Sequence, residues 1–192
     1  MAVYFPVKDF IFQENIWKVM YFNEGCNDKI TEKAFNQLDQ LLFKYSKVFI
    51  TRFDIRVCVE TINNELMSKL IKKLRNQIKT KYKSLMGFIW VREQTGDCTT
   101  PHYHCAIYVN GHKVRNSFNL GRMIDRICDS LIYLSPFYPK NNGYMVKRND
   151  SKSIQRVIYR ISYFAKNESK GNRPRGISDY QVSRLKITDY QL

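Results

Sequence analysis

The stretch Leu85–Val109 reads LMGFIWVRE, then QTGDCTTP, then HYHCAIYV. Two runs rich in β-branched and aromatic residues flank a turn-rich loop, which predicts two strands. The loop from Gln94 to Pro101 is far too short for a parallel crossover, so the strands are expected to pair as an antiparallel hairpin. Along a strand successive side chains alternate, which puts His102 and His104 on one face and Tyr103 and Cys105 on the other. Counting back across the loop, Glu93 falls opposite His102, on the histidines' face with Val91 and Ile89. Directly opposed residues have Cβ atoms about 4.5–5.5 Å apart, close enough for His102, His104 and Glu93 to meet one ion. A register slip by one residue would turn Glu93 away.

Two imidazoles and a carboxylate, with positions left for water or substrate oxygens, suit a divalent metal such as Mg²⁺ or Mn²⁺. Asp97 in the loop is a weaker candidate ligand. The rival is a zinc cluster of Cys98, His102, His104 and Cys105, disfavoured because Cys105 alternates to the opposite face.

Outward from the hairpin, Val48–Val59 is predicted as a strand. Ile30–Lys47, Asn64–Tyr82, Asn116–Leu134 and Ser153–Asn167 have helical apolar spacing. Tyr144–Arg148 reads as a short strand. The expected class is α+β, a central antiparallel sheet of about five strands with helices packed on it. One domain spans 1–192, with its motif-bearing part at about 47–167, an N-terminal strand and helix addition over 1–46 and a basic tail over 168–192.

The chain has 192 residues and a net charge of +15, from 32 Lys+Arg against 17 Asp+Glu. That excess points to a polyanionic partner, nucleic acid first and an anionic membrane surface second. With 44% hydrophobic residues it can bury a core, which excludes a disordered basic tail. No apolar run is long enough for a transmembrane helix. Asp9 and Pro6 interrupt the signal-peptide pattern at the start, so a soluble cytoplasmic protein without a membrane partner is expected. The five cysteines are scattered and form no CxxC pair, which reads as free thiols.

The segment Ser153–Asn167, SIQRVIYRISYFAKN, gathers Ile154, Val157, Ile158, Ile161, Phe164 and Ala165 on one side of a helix. Tyr159, Tyr163 and Lys166 fall on the opposite side, where core-filling tyrosines would not be. A phenol with a pKa near about 10 needs a polarised target or a nearby cation to act as a nucleophile. Lys166 supplies that charge, or holds a phosphate. Arg156 and Arg160 lie on or beside the same face as candidates for flanking DNA phosphates, with a solvated surface as the plain alternative.

Together these residues resemble the HUH endonucleases, named for two histidines around a hydrophobic residue, here His102-Tyr103-His104. Three motifs stand in the order of rolling-circle replication initiators: the apolar strand VFITRFDIRV, the HUH strand, and a helix with YxxK at Tyr163–Lys166. Tyr159 extends this to YxxxYxxK, similar to two-tyrosine initiators, with inovirus-type replication proteins and their relatives in integrated bacterial elements as the nearest likeness. Relaxases place the tyrosine before the histidines, which disfavours that branch. The resemblance implies that metal on His102, His104 and Glu93 activates a scissile phosphate. Tyr163, or Tyr159 in exchange, then forms a 5′-phosphotyrosine link at an origin in single-stranded DNA. No GxxxxGK[ST] loop occurs, so a host helicase and polymerase are expected partners. Two alternatives stay open. One is an HUH single-strand transposase, with Asn167 four positions after Tyr163. The other is a non-catalytic nucleic-acid-binding module whose Phe49, Phe53, Trp90 and Tyr103 stack bases.

Overall fold

The computed structural model describes residues 5–94, 100–168, 170 and 173–185. Its elements in chain order are β1 (Val7–Phe12), β2 (Asn15–Met20), α1 (Asp28–Lys44), β3 (Lys47–Val57), α2 (Glu65–Tyr82), β4 (Gly87–Glu93), β5 (His102–Asn110), α3 (Phe118–Leu131), β6 (Leu134–Phe137), β7 (Gly143–Lys147), α4 (Ser151–Ser162) and β8 (Tyr180–Val182). A 3₁₀ turn, Tyr163–Ala165, follows α4 directly. The protein is α+β, with a six-stranded sheet in the order β6-β3-β5-β4-β8 and β7 pairing with the same β3. Every pairing in it is antiparallel.

The predicted hairpin forms in the predicted register: Glu93 stands opposite His102 and Val91 opposite His104. Both faces of the sheet are covered, which is why β4 and β5 read as near-continuous apolar runs. On one face α2 and α3 bury Met67, Leu70, Leu74, Ile124 and Ile127 against Phe53, Ile55, Trp90, Tyr103 and Cys105. On the other, α1 and α4 bury Leu38, Leu41, Val157, Ile161 and Phe164 against Ile50, Ile89, Ala106 and Tyr108. Gly87 lets α1 approach the start of β4, since a Cβ there would lie 2.9 Å from Leu41 Cδ1 and 3.3 Å from Tyr108 Cβ.

The structure corrects three expectations. The sheet has six strands, because β6 lies within and just after the segment read as the end of a helix, and β8 comes from the basic tail. Pro136 disguises β6, yet it is tolerated there because β6 is an edge strand. Phe49, Phe53, Trp90 and Tyr103, offered as base-stacking rings, are all core and closed to bases. The helix expected over Ser153–Asn167 stops at Ser162. There the backbone is recruited elsewhere: Asn27 N donates to Ala165 O (2.7 Å) and Asn167 N to Gly25 O (3.1 Å), drawing 165–167 into an extended path.

Residues 1–46 were read as a strand and helix addition, and they supply the β1–β2 hairpin and α1. The hairpin clamps α4: Gln155 accepts from Lys18 N at 3.0 Å and donates to Lys18 O at 2.7 Å. Met20 N donates to Ser162 Oγ at 3.0 Å, at the point where α4 ends. Among the described residues no helix is long and apolar enough to cross a membrane.

Candidate active site

At one end of the sheet the face packed against α1 and α4 changes from apolar to charged. Along β3 it runs Val48, Ile50, Arg52, Asp54, Arg56; along β5, Tyr108, Ala106, His104, His102; along β4, Ile89, Val91, Glu93. Period-two alternation and fixed register bring Arg52, Asp54, Glu93, His102 and His104 together on one surface. Behind them Tyr103 is buried, and its hydroxyl donates to Asn64 Oδ1 at 2.8 Å, pinning the strand between the histidines.

His104 is the hub. Its Nδ1 lies 2.9 Å from Asp54 Oδ1 and its Nε2 3.1 Å from Glu93 Oε2. Carboxylates only accept, so the imidazolium form of the ring is the one that donates from both nitrogens. Burial alone would lower its pKa, but hydrogen bonds to Asp54 and Glu93 outweigh that and hold it above the ordinary value. Burial would raise both acids. The two histidines instead hold Asp54 well below the carboxylate range, and His104, Lys166 and Lys170 draw Glu93 to about 2.

Ligand atoms of Asp54, His102 and His104 all lie within 4.8 Å of one another, and this buried group could hold a metal ion. Glu93, the expected carboxylate, sits on the far nitrogen of His104. Two buried atoms of the cluster, His102 Nε2 and Glu93 Oε1, have no hydrogen-bond partner. His102 Nε2 has only the longer approach of Asp54 Oδ2 at 3.7 Å. Unsatisfied buried nitrogen and carboxylate donors fit a divalent cation. The zinc alternative fails on Cys105, which is buried in the opposite core. Cys98 and Asp97 lie outside the described residues.

The 3₁₀ turn delivers Tyr163 to this cluster. Its ring lies 5.4 Å from that of His104, edge on, while Phe164 stacks against His104 at 5.8 Å. Two cations lie over the phenol ring. The Arg52 guanidinium is 5.0 Å from the Tyr163 ring centroid and Lys166 Nζ also 5.0 Å. Lys166 Nζ is 3.8 Å and Lys170 Nζ 3.7 Å from Glu93. Tyr163 is thus half-buried against Phe5, Phe22 and His104, not on the solvent side that helical spacing predicts.

Other candidates do not converge. The Tyr159 hydroxyl donates to Phe5 O at 3.2 Å. Arg160 lies close enough to Arg52 and Tyr144 to act on both electrostatically. Exposed Arg156 lines a shallow groove with Asn15, Trp17 and Ser151, none of them at the histidines. Conversely, Asp54, Arg52 and Lys170 were not singled out from sequence. The signal for the first two was the spacing Arg52-Asp54-Arg56, period-two charge inside an otherwise apolar strand.

A family model described as the YagK/YfjJ C-terminal domain matches residues 11–178, which include every residue of this cluster. The chain belongs to that family. It is a domain of prophage-like bacterial elements, in keeping with the likeness to proteins of integrated elements. No curated protein and no solved structure matches the chain. The YagK/YfjJ domain therefore carries, on one sheet face, a metal-capable Asp-His-His group with a second carboxylate and a cation-flanked tyrosine.

Proposed function

We propose that this YagK/YfjJ domain is a metal-dependent single-stranded DNA nicking and joining enzyme of the HUH type, which opens an origin for rolling-circle replication. The observation that carries the reading is the edge-on approach of Tyr163 to His104, 5.4 Å between ring centroids, with Arg52 and Lys166 over the phenol. A tyrosine placed for packing alone has no need of two cations and a carboxylate–histidine cluster at its ring.

His104 can offer an ion one nitrogen while the other stays on a carboxylate. Asp54 with His102 and His104 would hold Mg²⁺ or Mn²⁺, because their ligand atoms lie within 4.8 Å of one another. Glu93, the carboxylate expected in that set, would instead orient His104 through Nε2. The ion, when bound, withdraws charge from the scissile phosphate. Tyr163 Oη attacks phosphorus, the bond to the 3′-oxygen breaks, and a 5′-phosphotyrosine forms. The phenol loses a proton and the 3′-oxygen gains one, so neither redox equivalents nor phosphodiester energy are spent and the link is reversible. Arg52 and Lys166, both over the phenol ring, steady the phosphate charge. Tyr159 serves a second cleavage only after releasing Phe5 O. The free 3′-OH primes a host polymerase, with helicase activity from the host.

The test is incubation of single-stranded DNA from the replicon encoding the protein with Mn²⁺, followed by a denaturing gel. Tyr163→Phe removes the covalent adduct and Tyr159→Phe retains the first one. An adduct of wild-type intensity in Tyr163→Phe overturns the assignment.

A further inference from the structure

The charged face of the sheet does not end at β3. β6 continues it at the edge, with Phe137 directly opposite Asp54 and Ser135 opposite Arg56. Alternation sends Leu134 into the core and leaves Phe137 on the face of the histidines, 58% exposed. One row across four strands therefore reads Phe137, Asp54, His104, Val91. At strand spacings of about 4.8 Å, Phe137 starts one strand from the carboxylate and two from His104. In the next row the exposed Arg56 stands between Ser135 and His102.

The turn leading into β6 is unusual as well. Ile132 and Tyr133 have φ values of 49° and 60°. Left-handed backbone is a true outlier for a β-branched residue and persists where its surroundings impose it. Here Cys58 N donates to Tyr133 O at 2.8 Å and fixes the start of the strand. The ring of Phe137 is thus an exposed apolar surface on a registered strand, bordered by the exposed Arg56 and the metal-capable cluster.

We propose that Phe137 is a stacking platform for the nucleobase beside the scissile phosphate, with Arg56 holding that nucleotide's phosphate. An aromatic face plus a neighbouring cation is the general means of gripping a single strand without reading its sequence. The inference rests on the reading of the site as one for single-stranded DNA and names where the adjoining nucleotide lies.

The experiment measures binding of oligo(dT) to the metal-free protein, so that it does not depend on chemistry. Phe137→Ala is expected to weaken binding about tenfold, the size of one base–aromatic stack, while Phe137→Trp retains it. Emission of the F137W variant is expected to be quenched by oligo(dT) beyond the change seen in wild type. Because the ring is exposed, thermal melting of both variants should match wild type, which separates a stacking role from a packing one. Wild-type affinity in Phe137→Ala, or no added quenching in Phe137→Trp, overturns the proposal. Quenching without any covalent adduct leaves it standing and removes the nicking reaction instead.

Discussion

His104 sets the chemistry at the residue scale, because its two nitrogens face two different carboxylates. With Glu93 as its orienting partner, Glu93→Gln should lower Mn²⁺ affinity about 10–100-fold, the usual cost of losing such a partner. Asp54→Asn should abolish binding measured by titration calorimetry, and the reverse ranking would exchange the two roles. Protons compete with the ion for the same ring. The folded-state pKa of His104 is raised, so the charged bridge stabilises the metal-free protein fully below the unfolded value and is lost as pH rises through the folded one. Asp54 and Glu93 have lowered values and stay ionised over that window. Metal binding needs neutral His104, so the rise in melting temperature given by Mn²⁺ should be larger at about pH 8 than at about pH 6. An equal rise at both would remove His104 from the ligand set. Part of this was legible in the chain. His102, His104 and Glu93 follow from strand alternation and one short loop, whereas Asp54 needed a third strand whose pairing to β5 no local pattern encodes. Lys170 reaches Glu93 from a tail whose sequence shows only its charge.

At the scale of elements, the end of α4 positions Tyr163, the proposed nucleophile. Helical periodicity correctly places Val157, Ile158, Ile161 and Phe164 in the core. It fails at Tyr163 and from Lys166 onward, because the hydrogen bonds that redirect the chain come from Gly25 and Asn27, far away in sequence. That tertiary override moves Tyr163 from the expected solvent side to the histidines. Phe164, fully buried and stacked on His104, fastens the turn. Phe164→Ala should cost about 3–5 kcal/mol in denaturant unfolding. If it folds, it should lose adduct formation more than DNA binding, since only the nucleophile's placement is disturbed. Unchanged stability would show that the turn is held by other contacts. The β4–β5 hairpin was readable because both strands are long and the loop is short. The edge strand β6 was not, being only LSPF with a proline inside it.

Over the whole molecule, the net charge of +15 accompanies the face proposed to hold a phosphate. Arg52, Arg56, Lys166 and Lys170 are the cations placed at or beside the cluster, and the remaining excess contributes the longer-range field. Affinity for oligo(dT) should therefore fall about tenfold or more between about 50 and 200 mM salt, by counterion release. A flat salt dependence would mean that the charge serves another purpose. Charge alone fits any nucleic-acid binder, and so do the two-faced sheet and its helices. What separates an enzyme from a binding module is covalent chemistry at one phenol. The most direct measurement is mass spectrometry of the peptides recovered after incubation with Mn²⁺ and single-stranded DNA of the encoding replicon. The account predicts a nucleotide joined through phosphate to Tyr163, absent without metal; no phosphotyrosine on any peptide, or one that forms equally well in Tyr163→Phe, would contradict it.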